Sequence, residues 1–190
     1  MLNGSIMIRR AGLADLDFIY EADLLAEGFT FDPLPEPLTP EEKVEYRQRL
    51  ERFLTTADEA GWIAEDIRDG QRAGMIVVRF RDLKHEPPSD ENLFLLQFFD
   101  PSIFPPDGRF CEIFNLWVHP AYRRRGLATC LKLAAEGETR ARGVGMIYTH
   151  TEAGNPHVLD LNLKLGYEVI RTGPLWDNVP RVSLIKKLSV

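Results

Sequence analysis

The stretch Leu116-Trp117-Val118-His119-Pro120-Ala121-Tyr122-Arg123-Arg124-Arg125-Gly126-Leu127-Ala128 holds the residues with the clearest chemical meaning. It reads as a strand, a sharp turn and the first turn of a helix. Pro120 stops the strand because its ring nitrogen carries no hydrogen to donate. Gly126 lets the backbone approach another group closely, and small Ala128 lets the helix start lie near the strand. The first N–H groups of a helix have no partner inside it, and the helix dipole places partial positive charge there. Arg123, Arg124 and Arg125 add three full charges. Together these features suit a phosphate or pyrophosphate. The pattern is not the dinucleotide GxGxxG, nor a P-loop, which requires Gly-Lys-Ser/Thr.

The chain around this turn has 190 residues, with 23 basic and 29 acidic side chains and a formal charge of −6. That length suits a single domain of residues 1–190 with a core of its own. A content of 44% hydrophobic and 27% charged residues excludes disordered, collagen-like and coiled-coil chains. No apolar run reaches the ~18 residues that a transmembrane helix needs; Leu93–Phe99 is interrupted by Gln97. Met1–Arg10 lacks the basic-then-apolar layout of a signal peptide. The acidic balance argues against nucleic acid or anionic membrane as a partner. Cys111 and Cys130 form no metal-binding pattern and read as reduced thiols, so no metal and a cytoplasmic location are expected.

Periodicity and punctuation give the elements. Ser5–Arg10 is expected as a strand. Leu13, Leu16, Ile19, Tyr20 and Leu24 recur at helical spacing, which predicts a helix over Gly12–Ala26. Gly28–Pro40 contains Pro33, Pro35, Pro37 and Pro40 and reads as a loop. Thr39, Pro40 and Glu42 make a capping box opening a helix to Thr55, with Val44, Leu50, Phe53 and Leu54 inward. Gly61–Asp66 and Ala73–Phe80 are expected strands about an Arg68-Asp69-Gly70 turn. The insert Arg81–Arg109 is long for a connection and is expected to carry a helix at Ser89–Phe99. Phe110–Val118 is a strand, and Leu127, Cys130, Leu131, Ala134 and Ala135 place a helix over Arg125–Arg142. Gly145–Thr151 is a strand. Asn155, Pro156 and Gly166 bound a short helix. Tyr167–Arg171 and Arg181–Leu188 are the last strands. This order is that of an α/β fold with a mixed sheet.

Arg123-x-x-Gly126-x-Ala128, after a strand ending Leu-x-Val-x-Pro, resembles motif A of the GNAT superfamily of acyl-CoA-dependent N-acetyltransferases. Met7–Ala11 with Asp15 resembles the family's first strand and helix. Asn155 and Leu163-Lys164-Leu165-Gly166-Tyr167 resemble its second motif. The resemblance covers most of the chain. It implies a mixed, mostly antiparallel central sheet of about seven strands with helices on both faces. It implies a transferase using acetyl-CoA as co-substrate, with backbone groups of Leu116, Trp117 and Val118 along the pantetheine arm and the Val118 N–H polarising the thioester carbonyl. The pyrophosphate would meet the backbone of Arg124, Arg125, Gly126, Leu127, Ala128 and Thr129, with side-chain charge from Arg123 and Arg124. Asn155 would approach the pantetheine or a site water.

Glu112 lies six residues before Val118, the offset at which the family's histone-modifying branch carries its catalytic glutamate. It is either that base or a strand residue paired with an arginine such as Arg109. Asn162 stands where many members place a tyrosine that reprotonates the leaving thiolate. An amide cannot supply a proton, so Asn162 could only hydrogen-bond the sulfur or pantetheine. A thiol with a pKa near ~8.5 leaves tolerably without a protein acid. Trp117 reads as sheet core or acceptor stacker, and His119 as a turn residue or relay. His150 and His157 flank the Asn155 loop as candidate acceptor-site residues, and Tyr167 reads as core.

The expected function is acetyl transfer from acetyl-CoA to a primary amine, a small molecule or a peptide, by direct attack. The other reading is a non-catalytic acyl-CoA sensor or interaction module. The insert and the loop at 28–38 are expected to wall the acceptor site, and the insert could instead serve a homodimer.

Overall fold

The computed structural model describes residues 5–26, 38–85 and 99–189. The helix expected at Ser89–Phe99, the phenylalanines 29, 31, 94 and 98 and the proline-rich loop fall wholly or almost wholly outside these residues. Seven strands form one sheet: β1 Ile6–Arg10, β2 Glu59–Asp66, β3 Gln71–Asp82, β4 Arg109–Val118, β5 Met146–Glu152, β6 Glu168–Pro174 and β7 Pro180–Lys187. The described helices are α1 Leu16–Ala26, α2 Pro40–Thr55, α3 Leu127–Ala141 and α4 Pro156–Lys164. Strand order is β1-β2-β3-β4-β5-β7-β6. The β1–β2, β2–β3, β5–β7 and β6–β7 pairs are antiparallel. The β4–β5 pair is parallel, so the sheet is mixed.

Contacts divide the chain into two compact units, Met1–Arg79 with Phe114–Ala135, and Phe80–Ile113 with Glu136–Val190. The first unit packs Leu16, Ile19 and Ala22 of α1 and Leu50 and Phe53 of α2 on Ile63, Met75, Val77 and Trp117. Its helices start where their caps dictate. The Thr39 side chain accepts from the Glu42 N–H, and Glu42 accepts from the Thr39 N–H. The α1 segment departs from expectation. A 3-10 turn at Leu13–Asp15 precedes the helix, so Leu13 falls off the inward stripe and is 58% exposed. Val44 lies in the exposed first turns of α2, and the buried stripe begins only at Leu50.

Two carboxylates hold this unit together. Asp15, 2% exposed, accepts from Arg9 at 2.7 and 2.8 Å, from Arg72 at 2.6 Å and from the Gly12 N–H at 2.9 Å. Burial raises its pKa, but the two guanidiniums and the N–H outweigh burial and hold it well below the usual carboxylate range. Asp23, fully buried on α1, accepts from the Tyr46 hydroxyl of α2 and the Asn115 amide of β4. One side chain thus ties both helices to the strand that carries the candidate site.

The second unit packs Phe99, Phe104 and Phe110 with Met146, Tyr148, Leu175 and Ile185. The connection after β3 closes through the Leu83 N–H donating to the Gly108 carbonyl at 3.1 Å. On α3, Glu136 is 1% exposed and accepts both its bonds from Lys186 of β7, at 2.7 and 2.8 Å.

Asp15→Asn leaves two guanidiniums facing a neutral amide. It is expected to destabilise the protein by about 3 kcal/mol, as removing one partner of a largely buried ion pair does. Urea unfolding followed by tryptophan fluorescence checks it.

Candidate active site

In the first unit the site is the end of β4, the turn after it and the start of α3. The His119 N–H donates to the Ala73 carbonyl of β3 at 2.9 Å. A Cβ on Gly74 would come within 2.8 Å of the Trp117 carbonyl, so only glycine permits this approach of β3 to β4. Trp117 is 8% exposed and meets Phe18 edge-on at 6.0 Å. Its side chain belongs to the core, which leaves its backbone for binding. The His119 ring nitrogen accepts from the Ala121 N–H at 3.2 Å and caps the Pro120–Tyr122 turn. A cavity of about 440 Å³ has Phe18 and Trp117 in its wall and His119 and Arg72 among its polar groups.

Beyond this, Arg123 Nε donates to the Val118 carbonyl at 3.0 Å, folding the turn back on its own strand. Arg124 has φ 62° and is the one non-glycine residue with positive φ among those described; Gly126 follows with φ 82°. No atom lies within 4 Å of a Cβ built on Gly126, so the glycine serves the conformation of the turn rather than relieving a crowded contact. The Gly126 carbonyl accepts from the Cys130 N–H at 3.1 Å, which starts α3. Arg123, Arg124, Arg125 and Gly126 are exposed, Leu127 is buried, and Ala128 and Thr129 are half-buried. Left-handed residues in such a run curve successive N–H groups into a concave anion-binding nest.

In the second unit, β4 pairs with β5 through Cys111–Ile147 and Glu112–Tyr148. Glu112 is half-buried, and its Oε2 accepts from Arg81 Nη1 of β3 at 2.9 Å. The expected partner, Arg109, instead donates to the Arg142 carbonyl at 3.0 Å. Burial pushes the Tyr148 hydroxyl pKa up, and the Glu112 charge adds to it.

His150 lies two residues along β5. Its ring meets Trp176 edge-on at 4.9 Å and Tyr148 at 6.2 Å. Its Nδ1 is buried without a hydrogen-bond partner among the described residues. Burial, with the Arg181 charge second, lowers its pKa from 6.5 to about 4.

The second-motif residues are placed as follows. Asn155 is exposed and its side-chain oxygen accepts from the Val158 N–H at 3.3 Å, capping α4. His157 is exposed. Asn162 is fully buried, and neither amide atom has a partner among the described residues. Tyr167 is core, as its sequence position suggested.

Sequence reasoning missed Gly74, Arg81 and the Asp23–Asn115 pair. A glycine inside a strand pattern is a signal of close approach and could have pointed to Gly74. The other two depend on pairing between segments remote in sequence.

The family model "Acetyltransferase (GNAT) family" matches residues 22–167. The chain belongs to the GNAT family of acetyltransferases. No curated protein sequence matches it significantly. Among solved structures, Arabidopsis thaliana NAA60 with acetyl-CoA aligns at TM-score 0.68 and 17% identity, over 96% of this chain and 98% of that one. The Escherichia coli ribosomal-protein-S18-alanine N-acetyltransferase aligns at TM-score 0.64 and 14% identity, over 97% and 95%. The Vibrio cholerae spermidine/spermine N-acetyltransferase SpeG aligns at TM-score 0.65 and 14% identity, over 97% and 95%. At these identities the likeness establishes the fold. Among the described residues no cluster of His, Cys, Asp and Glu could hold a metal ion, and no helix is long and apolar enough to cross a membrane.

The depressed pKa of His150 has a consequence for stability. The unfolded chain takes this proton below about pH 6.5, the folded protein only below about pH 4. Stability is therefore expected to fall as pH drops through that window. His150→Gln removes this component and is expected to flatten the profile, measured as the urea midpoint between pH 7 and pH 4.

Proposed function

We propose that this protein transfers the acetyl group of acetyl-CoA to a primary amine by direct attack. The observation that carries the reading is the turn itself: left-handed Arg124 and Gly126, three exposed arginines and the start of α3, in a chain of the acetyltransferase family. The donor set suits a diphosphate, since it combines N–H groups without helical partners with guanidinium charge. Arg124, Arg125, Gly126, Leu127, Ala128 and Thr129 would hold it through their backbone, with Arg123 and Arg124 adding charge. Leu116 and Val118 would offer backbone groups to the pantetheine arm, and Asn155 its side-chain amide. The neighbour solved with acetyl-CoA supports the same reading.

Bound acetyl-CoA supplies an activated acetyl thioester. The rest falls to the amine and the chain. A lysine-like amine with a pKa near ~10.4 is neutral in about one molecule in a few thousand at pH 7, a cost of roughly 4–5 kcal/mol. Glu112 is assigned as the group that takes the ammonium proton, directly or through water. Arg81 fixes Oε2, and Oε1 is the atom assigned to the proton. The new C–N bond forms as the C–S bond breaks, the sulfur leaves with the electron pair as thiolate, and the proton the nitrogen must then lose passes through water to the thiolate. Asn162 could offer a hydrogen bond to the sulfur and no proton.

Glu112→Gln keeps the shape and loses the base. Turnover is expected to fall by about 10²–10⁴-fold, with acetyl-CoA affinity by calorimetry unchanged. A loss under about threefold would move the base to solvent or to His150. For Asn162→Ala, turnover is expected to drop at most about tenfold, equivalent to one neutral hydrogen bond of roughly 0.5–1.5 kcal/mol. A hundredfold drop with cofactor binding intact would make Asn162 an organiser of the reacting groups.

A further inference from the structure

The turn before α3 is tied to a distant part of the first unit by one side chain, Tyr122. This residue ends the short Pro120–Tyr122 turn and stands directly before Arg123 and left-handed Arg124. Its ring is buried, at 8% exposure. Its N–H donates to the His119 carbonyl at 2.8 Å. Its hydroxyl donates to Gln71 Oε1, at the start of β3, at 2.7 Å. Among the described residues this is the one side-chain hydrogen bond that joins residues 120–126 to a strand other than β4. Gln71 is a firm anchor. It pairs with Asp66 across the β2–β3 hairpin, and its N–H donates to Asp69 Oδ1 at 2.9 Å. Asp66 in turn accepts from the Arg68 guanidinium and the Arg68 N–H.

The same ring separates the roles of the three arginines. The Arg125 guanidinium lies 5.3 Å from the Tyr122 ring centre, within range of a cation–π contact. Arg123 is tied to the Val118 carbonyl. The Arg124 side chain has no partner among the described residues, which leaves its charge uncommitted. A non-glycine residue keeps positive φ only where its surroundings over-determine it. The ends of the turn are fixed by β4 and α3, and its middle is fixed through Tyr122. Without the bond to Gln71 the turn can relax towards ordinary backbone, and the concave set of N–H groups opens.

We infer that Tyr122 is a positioning residue for the cofactor. Through Gln71 it holds Arg124 and Gly126 in the curvature that presents their N–H groups, and so it sets the affinity for the diphosphate of coenzyme A. The inference rests on the acetyl-transfer reading above and adds the β2–β3 hairpin to the parts that bind the cofactor.

The test compares two donors, acetyl-CoA and S-acetylpantetheine, which lacks the diphosphate. Tyr122→Phe keeps the ring and loses the hydroxyl. Its Kd for CoA by calorimetry and its KM for acetyl-CoA are expected to rise about three- to tenfold, as the loss of one hydrogen bond gives. The kcat at saturating acetyl-CoA, and kcat/KM with S-acetylpantetheine, are expected to stay within about twofold of wild type. A role confined to packing would move both donors alike. Gln71 is exposed, so Gln71→Leu spares the core while removing the acceptor, and is expected to match Tyr122→Phe. The double variant is expected to lose no more than either single one, because all three break the same bond. Unchanged CoA affinity in both single variants, or an equal loss with both donors, overturns the inference while leaving acetyl transfer intact. Where an amine or the short donor does not turn over, the calorimetric cycle decides alone: non-additive losses support the inference, and additive or absent losses overturn it. A wild-type protein that binds no CoA overturns both the inference and the reading beneath it.

Discussion

Backbone N–H groups at the start of a helix have no partner inside it, and the proposed function rests on how the turn before α3 would present them. Arg124 and Gly126 adopt left-handed backbone. Arg123 is tied to the Val118 carbonyl and cannot swing away at its base. Positive φ at a bulky arginine is unfavourable in itself, and it persists because β4 on one side and α3 on the other fix the ends of the turn. The first-unit core beneath it, with Trp117 facing Phe18 and Gly74 admitting β3 against Trp117, makes the strand end rigid.

Charge placement within the two units follows a second pattern. Buried and half-buried acids are met by donors from other segments: Asp15 by Arg9 and Arg72, Asp23 by Tyr46 and Asn115, Glu112 by Arg81, Glu136 by Lys186. Each such pair, once buried, is costly to break from one side. Glu112 differs from the others because its partner holds a single oxygen in the contacts described. The same pairing that orients it for proton transfer would also serve a purely structural carboxylate, which is why turnover and not geometry decides its role.

Much of this was legible in the sequence where the signal was local. The Thr39-Pro40-Glu42 box set the start of α2, Asn155-Pro156 that of α4, and the Val118–Ala128 pattern pointed to the strand, turn and helix that form. Leu13 and Val44 misled because apolar spacing was read across a 3-10 turn in one case and into an exposed helix start in the other. Long-range pairing was hidden. The choice of Arg81 over Arg109 as partner of Glu112 depends on β3 lying beside β4. The burial of Asn162 and of the His150 nitrogen depends on how helix and strand pack. Periodicity within each element does not report either.

The most direct test of the account is an ¹⁵N-resolved titration of the protein with coenzyme A. The amides of Arg124, Arg125, Gly126, Leu127, Ala128 and Thr129 are expected to shift saturably and more than any other group of amides, because a diphosphate would supply the acceptors that the helix start lacks. Saturable binding that leaves those six amides unmoved would place the cofactor elsewhere and contradict the account.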